Sequence, residues 1–288
     1  MKNISLILLS LLALLMSGCS INRLAVGKTA ELIENGMPAI YEETDLQLAE
    51  TAIASNLKLL EVLLKNDPGN TRIKILLAQG YGSYALGFIE DEDPERAKYF
   101  YIKARDYALE VLNAILGTED LTRLPLDALE GELSKLKKDH VAPLFWAATY
   151  WGSWAMLSLD NNRALFALPK TKAMMQQKLA LDETFYFGGS HLFFGSLHAA
   201  RPVMLGGKPD QSKFHFEKAL EITGNKFLII KVFYARFYAV QIQDADLYEK
   251  LLTEVLDANL EILPEFRLIN QIAKQKAELW LDKKNQLF

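Results

Sequence analysis

The chain has a single cysteine, Cys19, in 288 residues. One thiol excludes an intramolecular disulfide and a zinc site built from several cysteines. Histidine is nearly as scarce: His140, His191, His198 and His215 are the 4 present, and none sits in an H-E-x-x-H pattern. No P-loop and no G-x-G-x-x-G is present, and Gly188-Gly189-Ser190-His191 lacks the order of a nucleophile elbow. The acidic residues are scattered and form no paired-carboxylate signature. An enzyme is therefore not expected, and no cofactor is expected. A basic excess is also missing, with 32 Lys+Arg against 36 Asp+Glu and a net charge of −4. A binder of phosphate backbones normally carries the opposite imbalance, so no nucleic acid is expected as a partner. Finally, no apolar run reaches the roughly 20 residues of a typical spanning helix.

The longest apolar run lies at the start. Ile4 to Met16 is 13 residues, apolar except for Ser5 and Ser10, and it follows Lys2. That length fits the core of a secretory signal. Ser17, Gly18 and Cys19 follow and resemble the lipobox of bacterial lipoproteins, with Met16 where Leu is usual. The expectation is a signal peptide over 1–18 and a mature domain over 19–288, lipidated at Cys19; a free cysteine beyond an ordinary signal is the alternative. Loss of Lys2 leaves 31 basic against 36 acidic residues, a charge of −5. Acyl chains contribute about 0.8 kcal/mol per buried CH₂ and would hold the chain at a bilayer. Ser20, rather than Asp, resembles the sorting rule for outer-membrane lipoproteins facing the periplasm.

The remainder reads as helices. With 50 % hydrophobic and 24 % charged residues, the composition is that of a folded globular chain. Leu46, Ala49, Ile53, Leu57, Leu60 and Leu64 step by three or four, as do Ala97, Tyr101, Ala104, Ala108, Val111 and Ile115. Asp93-Pro94 reads as an N-cap with proline at the first helical position, and Asp244 reads as another cap. The spacing predicts helices over 22–35, 44–65, 71–89, 94–116, 125–137, 140–159, 164–181, 184–199, 210–223, 226–241, 245–258 and 265–283. These twelve, joined by short connections, predict an all-α fold of antiparallel helix pairs. Residues 94–104 resemble 209–219: the proline, two lysines and final alanine coincide, and aromatics match at 99/214 and 101/216. The shared small-x3-aromatic-x2-Ala pattern resembles the second helix of a tetratricopeptide repeat.

Two stretches are candidates for a ligand site. Trp146, Tyr150 and Trp154 step by four along one helix face beside Ala and Gly. Such a stripe is either plain core or the apolar wall of a groove or pore. The stretch from Phe185 to Lys208 is rich in glycine, with Arg201 the only Arg, Lys, Asp or Glu before Lys208. Arg201 needs either a carboxylate from another helix or a ligand carboxylate. His191 and His198 lie seven apart on one face, as ligands, a pH-sensitive pair or ordinary buried histidines.

Four stretches resemble one family. They are Trp146-Ala147-Ala148-Thr149-Tyr150-Trp151-Gly152; Gly206-Gly207-Lys208-Pro209 with His215-Phe216-Glu217-Lys218-Ala219-Leu220; Phe233-Tyr234-Ala235-Arg236-Phe237-Tyr238-Ala239; and residues 268–277. In this order they resemble the T component of tripartite ATP-independent periplasmic (TRAP) transporters. Lys208 departs from the acidic or Asn cap expected before Pro209. The resemblance implies a periplasmic lipoprotein of tetratricopeptide-like helices that assembles as a homo-oligomer such as a trimer. It implies docking of a TRAP substrate-binding protein and a pore or groove for small organic or apolar ligands. A tetratricopeptide-like envelope scaffold without ligand binding is the alternative.

Overall fold

The computed structural model describes residues 22–288; the signal segment 1–18 and Cys19 lie outside the described residues. Among these residues the fold is all-α. Helix α1 spans 22–36. It is followed by α2 (Pro38–Tyr41), α3 (Leu46–Asn66), α4 (Thr71–Tyr84), α5 (Pro94–Leu116), α6 (Leu126–Leu133) and α7 (Val141–Met156). Next come α8 (Asn162–Leu181), α9 (Phe185–Ala199), α10 (Pro209–Thr223), α11 (Ile229–Phe233), α12 (Ala245–Asp257), α13 (Arg267–Asp282) and α14 (Lys284–Leu287).

Side chains close the helix starts by accepting orphan backbone N–H groups. Asp45 accepts from Gln47 and Leu48, Asn70 from Ile73, Asp93 from Arg96, and Asp244 from Leu247. Helix α10 starts without such a bond at Lys208, as do α6, α7, α9, α11 and α13 at their own N-caps. Gly117 and Gly224 end α5 and α10 in the left-handed conformation, which lacks a Cβ penalty at glycine.

Four predicted helices differ in detail, and the simplest case is 125–137, whose helix stops at Leu133. The segment 71–89 leaves α-geometry at Ala85 and continues as a π-helical turn to Ile89. The segment 226–241 does the same over Tyr234–Ala239. Apolar residues dominate both turns, with Arg236 the one charged residue in the second, so a 3.6-residue periodicity does not reveal them. The segment 184–199 opens with Tyr186, Phe187 and Gly188 at φ 49°, 58° and 67°, one left-handed turn before the right-handed helix. The two bulky non-glycine residues are strained there.

The helices pack in sequence as α3–α4–α5–α7–α8–α9–α10 and then α11–α12–α13. Helix α13 returns to α2 and α3, so the array closes on its own start. Ala49, Leu268 and Ile272 form the small cluster at that closure. The sequence repeat is a structural one. Ala97, Tyr101 and Ala104 on α5 are buried, and so are Ser212, Phe216 and Ala219 at the matching positions of α10. The other aromatic pair, Tyr99 and Phe214, is exposed on both helices. Small residues let a neighbour approach: the Ser212 hydroxyl donates to the Gly195 carbonyl at 2.8 Å, and Gly195 faces the Phe216 ring.

Candidate functional site: an aromatic cavity crossed by an ion pair

Closure of the array encloses a cavity of about 270 Å³. Its wall draws on α2, α3, α4, α5, α7, α8, α9, α11, α13 and both π turns. The volume lies near the lower end of the roughly 300–1,000 Å³ of small-molecule sites. The lining is aromatic and aliphatic, and its only charged side chains are Glu90 and Arg236.

The α7 stripe supplies one wall. Trp146 and Tyr150 stack with ring centroids 5.5 Å apart and planes 8° from parallel. Tyr150 in turn stacks on Tyr101, 6.0 Å away. Its ring lies so close to Gly82 that no Cβ fits there, and its hydroxyl donates to the Gln79 carbonyl at 3.3 Å. Burial pushes the Tyr150 phenol well above its ordinary range, so it stays a donor.

The left-handed turn supplies the facing wall. Tyr186 meets Trp146 edge-on at 4.6 Å, while Phe187 stacks on Phe227 at 4.1 Å. The turn is held from behind by Lys178, whose side chain is buried and whose ammonium donates to the Phe185 carbonyl at 3.3 Å. That ammonium also lies 5.2 Å from the Phe145 ring centroid and 5.4 Å from that of Phe185. Burial lowers the Lys178 pKa to about 8, partly offset by Asp182 and Glu183. Backbone strain of this kind persists only where the surroundings over-determine it, and it concentrates at functional sites.

The π turns supply the charge. Glu90 directly follows the first turn and Arg236 lies within the second. The Arg236 guanidinium donates to Glu90 Oε1 at 2.8 Å, and the Tyr101 hydroxyl donates to Glu90 Oε2 at 2.6 Å. Behind them Lys276 pairs with Asp91. Arg236 also lies 4.5 Å over the Trp280 ring. Two acids thus face two bases, and the group is neutral as a whole. Thr149 Oγ1, also in the lining, is buried without a hydrogen-bond partner among the described residues.

The structure separates the residues singled out in the sequence. Trp146 and Tyr150 line the cavity; Trp154 packs partly buried against the larger core and is not part of the lining. His191 and His198 lie outside the cavity and cluster with His215 between α9 and α10. Arg201 is also outside; its carbonyl accepts from Gln241 Nε2 at 2.6 Å, and its guanidinium makes no ion pair among the described residues. The arginine of the cavity is Arg236 instead. Its motif, Phe233-Tyr234-Ala235-Arg236-Phe237, carried a signal: an arginine framed by aromatics. Tyr186 and Phe187 carried none beyond the glycine pair that follows them, and Glu90 carried none.

Among the described residues no group of three or more His, Cys, Asp or Glu is placed to hold a metal ion. No helix among them is long and apolar enough to cross a membrane. The family model for the TRAP transporter T-component matches residues 42–288. No curated protein matches the chain.

Proposed function

The chain belongs to the TRAP transporter T-component family, and from that premise we propose that it is a lipid-anchored periplasmic accessory component of solute uptake. It docks a TRAP substrate-binding protein and holds a small ligand in the central cavity. The observation that carries this reading is the cavity itself. All helices from α2 to α13 except α6, α10 and α12 contribute to its wall, so enclosing it is what closure of the array achieves. An aromatic lining favours an organic ligand with apolar surface. The internal balance of Glu90, Asp91, Arg236 and Lys276 leaves no net charge to recruit an ion, which favours a neutral ligand or a neutral portion of one. Thr149, Gln79 and Ser83 offer hydrogen bonds to orient it. Catalysis has no part in this reading. The Cys19 lipid would keep the body at the envelope, most consistently at the outer membrane facing the periplasm.

Native mass spectrometry of the purified mature protein tests the ligand and partner together. A retained small molecule, lost in Trp146→Ala and Tyr150→Ala while the helical signal persists, is expected. Unchanged retention in both variants would exclude the cavity as the site. Recovery of envelope-assembly factors in place of a substrate-binding protein would favour the scaffold alternative. Cys19→Ala is expected to release the chain into the soluble fraction; continued membrane retention would refute the anchor.

A further inference from the structure

One end of the helix array carries an apolar prominence that the cavity does not use. The 3-10 turn Val203–Leu205, between α9 and α10, exposes Val203 at 63 %, Met204 at 94 % and Leu205 at 67 %. Leu165 and Phe166 on α8 are exposed as well, Phe166 at 78 %. They lie at the same end. The Lys178 ammonium meets the Phe185 carbonyl and the Ser190 hydroxyl meets Met175 Sδ, each at 3.3 Å, so α9 runs antiparallel to α8. The start of α8, which carries Phe166, therefore lies at the same end as the close of α9 and the turn that follows it. A cluster of exposed apolar side chains at one end marks an interaction site.

Cations rim the prominence. Arg163, Lys172, Arg201 and Lys208 make no ion pair among the described residues, although Asp160 and Asp210 are in the same stretches. Lys172 and Lys208 are both close enough to His198 to lower its pKa, after burial has done so. The end therefore holds a positive surplus on a chain whose net charge is −4.

Two further relationships locate it. Gln241, just past the π turn that carries Arg236, donates to the carbonyls of His198 at 3.1 Å and Arg201 at 2.6 Å. The root of the prominence is thereby fastened to the cavity wall, and Leu157 and Leu197 line the cavity on this side. The chain enters the fold at the other end. Glu34, Arg72, Ile115 and Asp139 border one groove, which gathers the end of α1, the start of α4, the end of α5 and the start of α7. Arg23 lies 3.9 Å from Asp67 there. Helix α7 separates the two ends by about 24 Å, at 1.5 Å per residue.

We propose that this end, Leu165–Phe166 with Arg201–Lys208, is the docking surface for the substrate-binding protein, whose matching face is an apolar slot within an acidic rim. The proposal rests on the transport function proposed above and adds where the partner sits. Helix α1, the first described element, starts at the far end of α7, so the prominence faces away from that start. A second copy docked isologously would set the same four unpaired cations against themselves. An acidic partner neutralises them and sits over the cavity rim.

The test titrates the purified Cys19→Ala chain with the TRAP substrate-binding protein encoded with it, by calorimetry at two salt concentrations. The wild-type surface is expected to bind, more weakly at high salt. Met204→Asp and the pair Arg201→Glu with Lys208→Glu are each expected to weaken binding about tenfold or more. Circular dichroism and melting should not move, because Met204 and Lys208 are exposed and Arg201 is only half-buried with no ion pair to lose among the described residues. Binding that survives both variants overturns this surface and leaves the transport reading standing. Absence of wild-type binding overturns both. A change of oligomeric mass in Met204→Asp, with partner affinity intact, would assign the surface to a second copy. Sedimentation with phosphatidylglycerol vesicles that Met204→Asp abolishes, again with partner affinity intact, would assign it to a bilayer. Either of the last two overturns the proposal.

Discussion

The Glu90 carboxylate and the Arg236 guanidinium, 146 positions apart in the chain, meet at 2.8 Å where two π-helical turns face each other. A π turn holds one more residue than an α turn, which locally rotates the side chains that follow. That rotation turns a charged residue of each helix toward a wall that is otherwise aromatic. Glu90 is only 8 % exposed, so the pair is shielded from solvent and from salt.

Arg236→Met removes one partner and leaves Glu90 facing an apolar lining. The expected cost is about 3–5 kcal/mol in urea unfolding. Glu90→Leu combined with Arg236→Met should recover much of that loss, because no charge is then stranded. A double variant as unstable as Arg236→Met alone would show that the arginine acts through its contact with Trp280 rather than through Glu90.

Gly82→Ala tests the fit of the α7 wall. A Cβ at Gly82 collides with the Tyr150 ring, which is itself stacked between Trp146 and Tyr101. The ring must shift, at an expected cost of about 1–3 kcal/mol. Ligand retention should fall with it, and tryptophan emission should report the disturbed Trp146. Unaltered stability and emission would mean that the wall is looser than this packing implies.

Lys178→Met separates stability from site geometry. The lysine is depressed to about 8 by burial, so at pH 7 it is charged and its desolvation weighs against folding. Its folded pKa lies below its unfolded one, and that penalty is relieved as pH rises from about 8 toward the ordinary lysine range. Methionine fills similar volume without the charge and is expected to keep or raise the melting temperature at pH 7. It also frees the Phe185 carbonyl from the ammonium that anchors the strained turn. Retention of the cavity ligand should therefore weaken while the fold holds. Tighter retention would contradict the anchoring role.

The histidine cluster predicts acid sensitivity. His191 Nε2 donates to Glu183 at 3.0 Å, and its Nδ1 therefore accepts from His215 Nδ1 at 2.9 Å while both rings are neutral. Burial, then His191 and His198, push His215 down to about 4, and burial also lowers His191 and His198. Glu183 opposes the shift at His191, whereas Lys178, Lys218, Lys172 and Lys208 reinforce the lowering around the cluster. The folded state thus binds fewer protons than the unfolded state between about pH 6.5 and 4. Stability is full above that window and falls as pH drops through it, by about 2–3 kcal/mol for His215. His215→Phe should flatten this part of the pH profile in thermal melts. A profile that keeps its slope would place the acid sensitivity elsewhere.

The helices, their starts and stops, and the repeat were legible in the sequence because each depends on residues within a few positions. Asp93 caps α5, and the spacing of Ala97, Tyr101 and Ala104 puts them on one face that α4 and α7 then bury. The aromatic stripe of α7 was visible for the same reason. Whether it was core or ligand wall was not, since periodicity reports which face is buried and not what lies against it. Trp154 shares the stripe yet packs into core, while Trp146 and Tyr150 meet the cavity. Arg201 stood out in an apolar stretch, yet the array brings Arg236 to the wall and leaves Arg201 at the outer end. Only the tertiary structure decided these matters. The return of α13 to α2 and α3 sets the cavity, the π turns set its ion pair, and packing behind Lys178 holds Tyr186 and Phe187 in a conformation their own preferences oppose. Each depends on contacts across long stretches of chain, where the free energy of packing overrides the local signal.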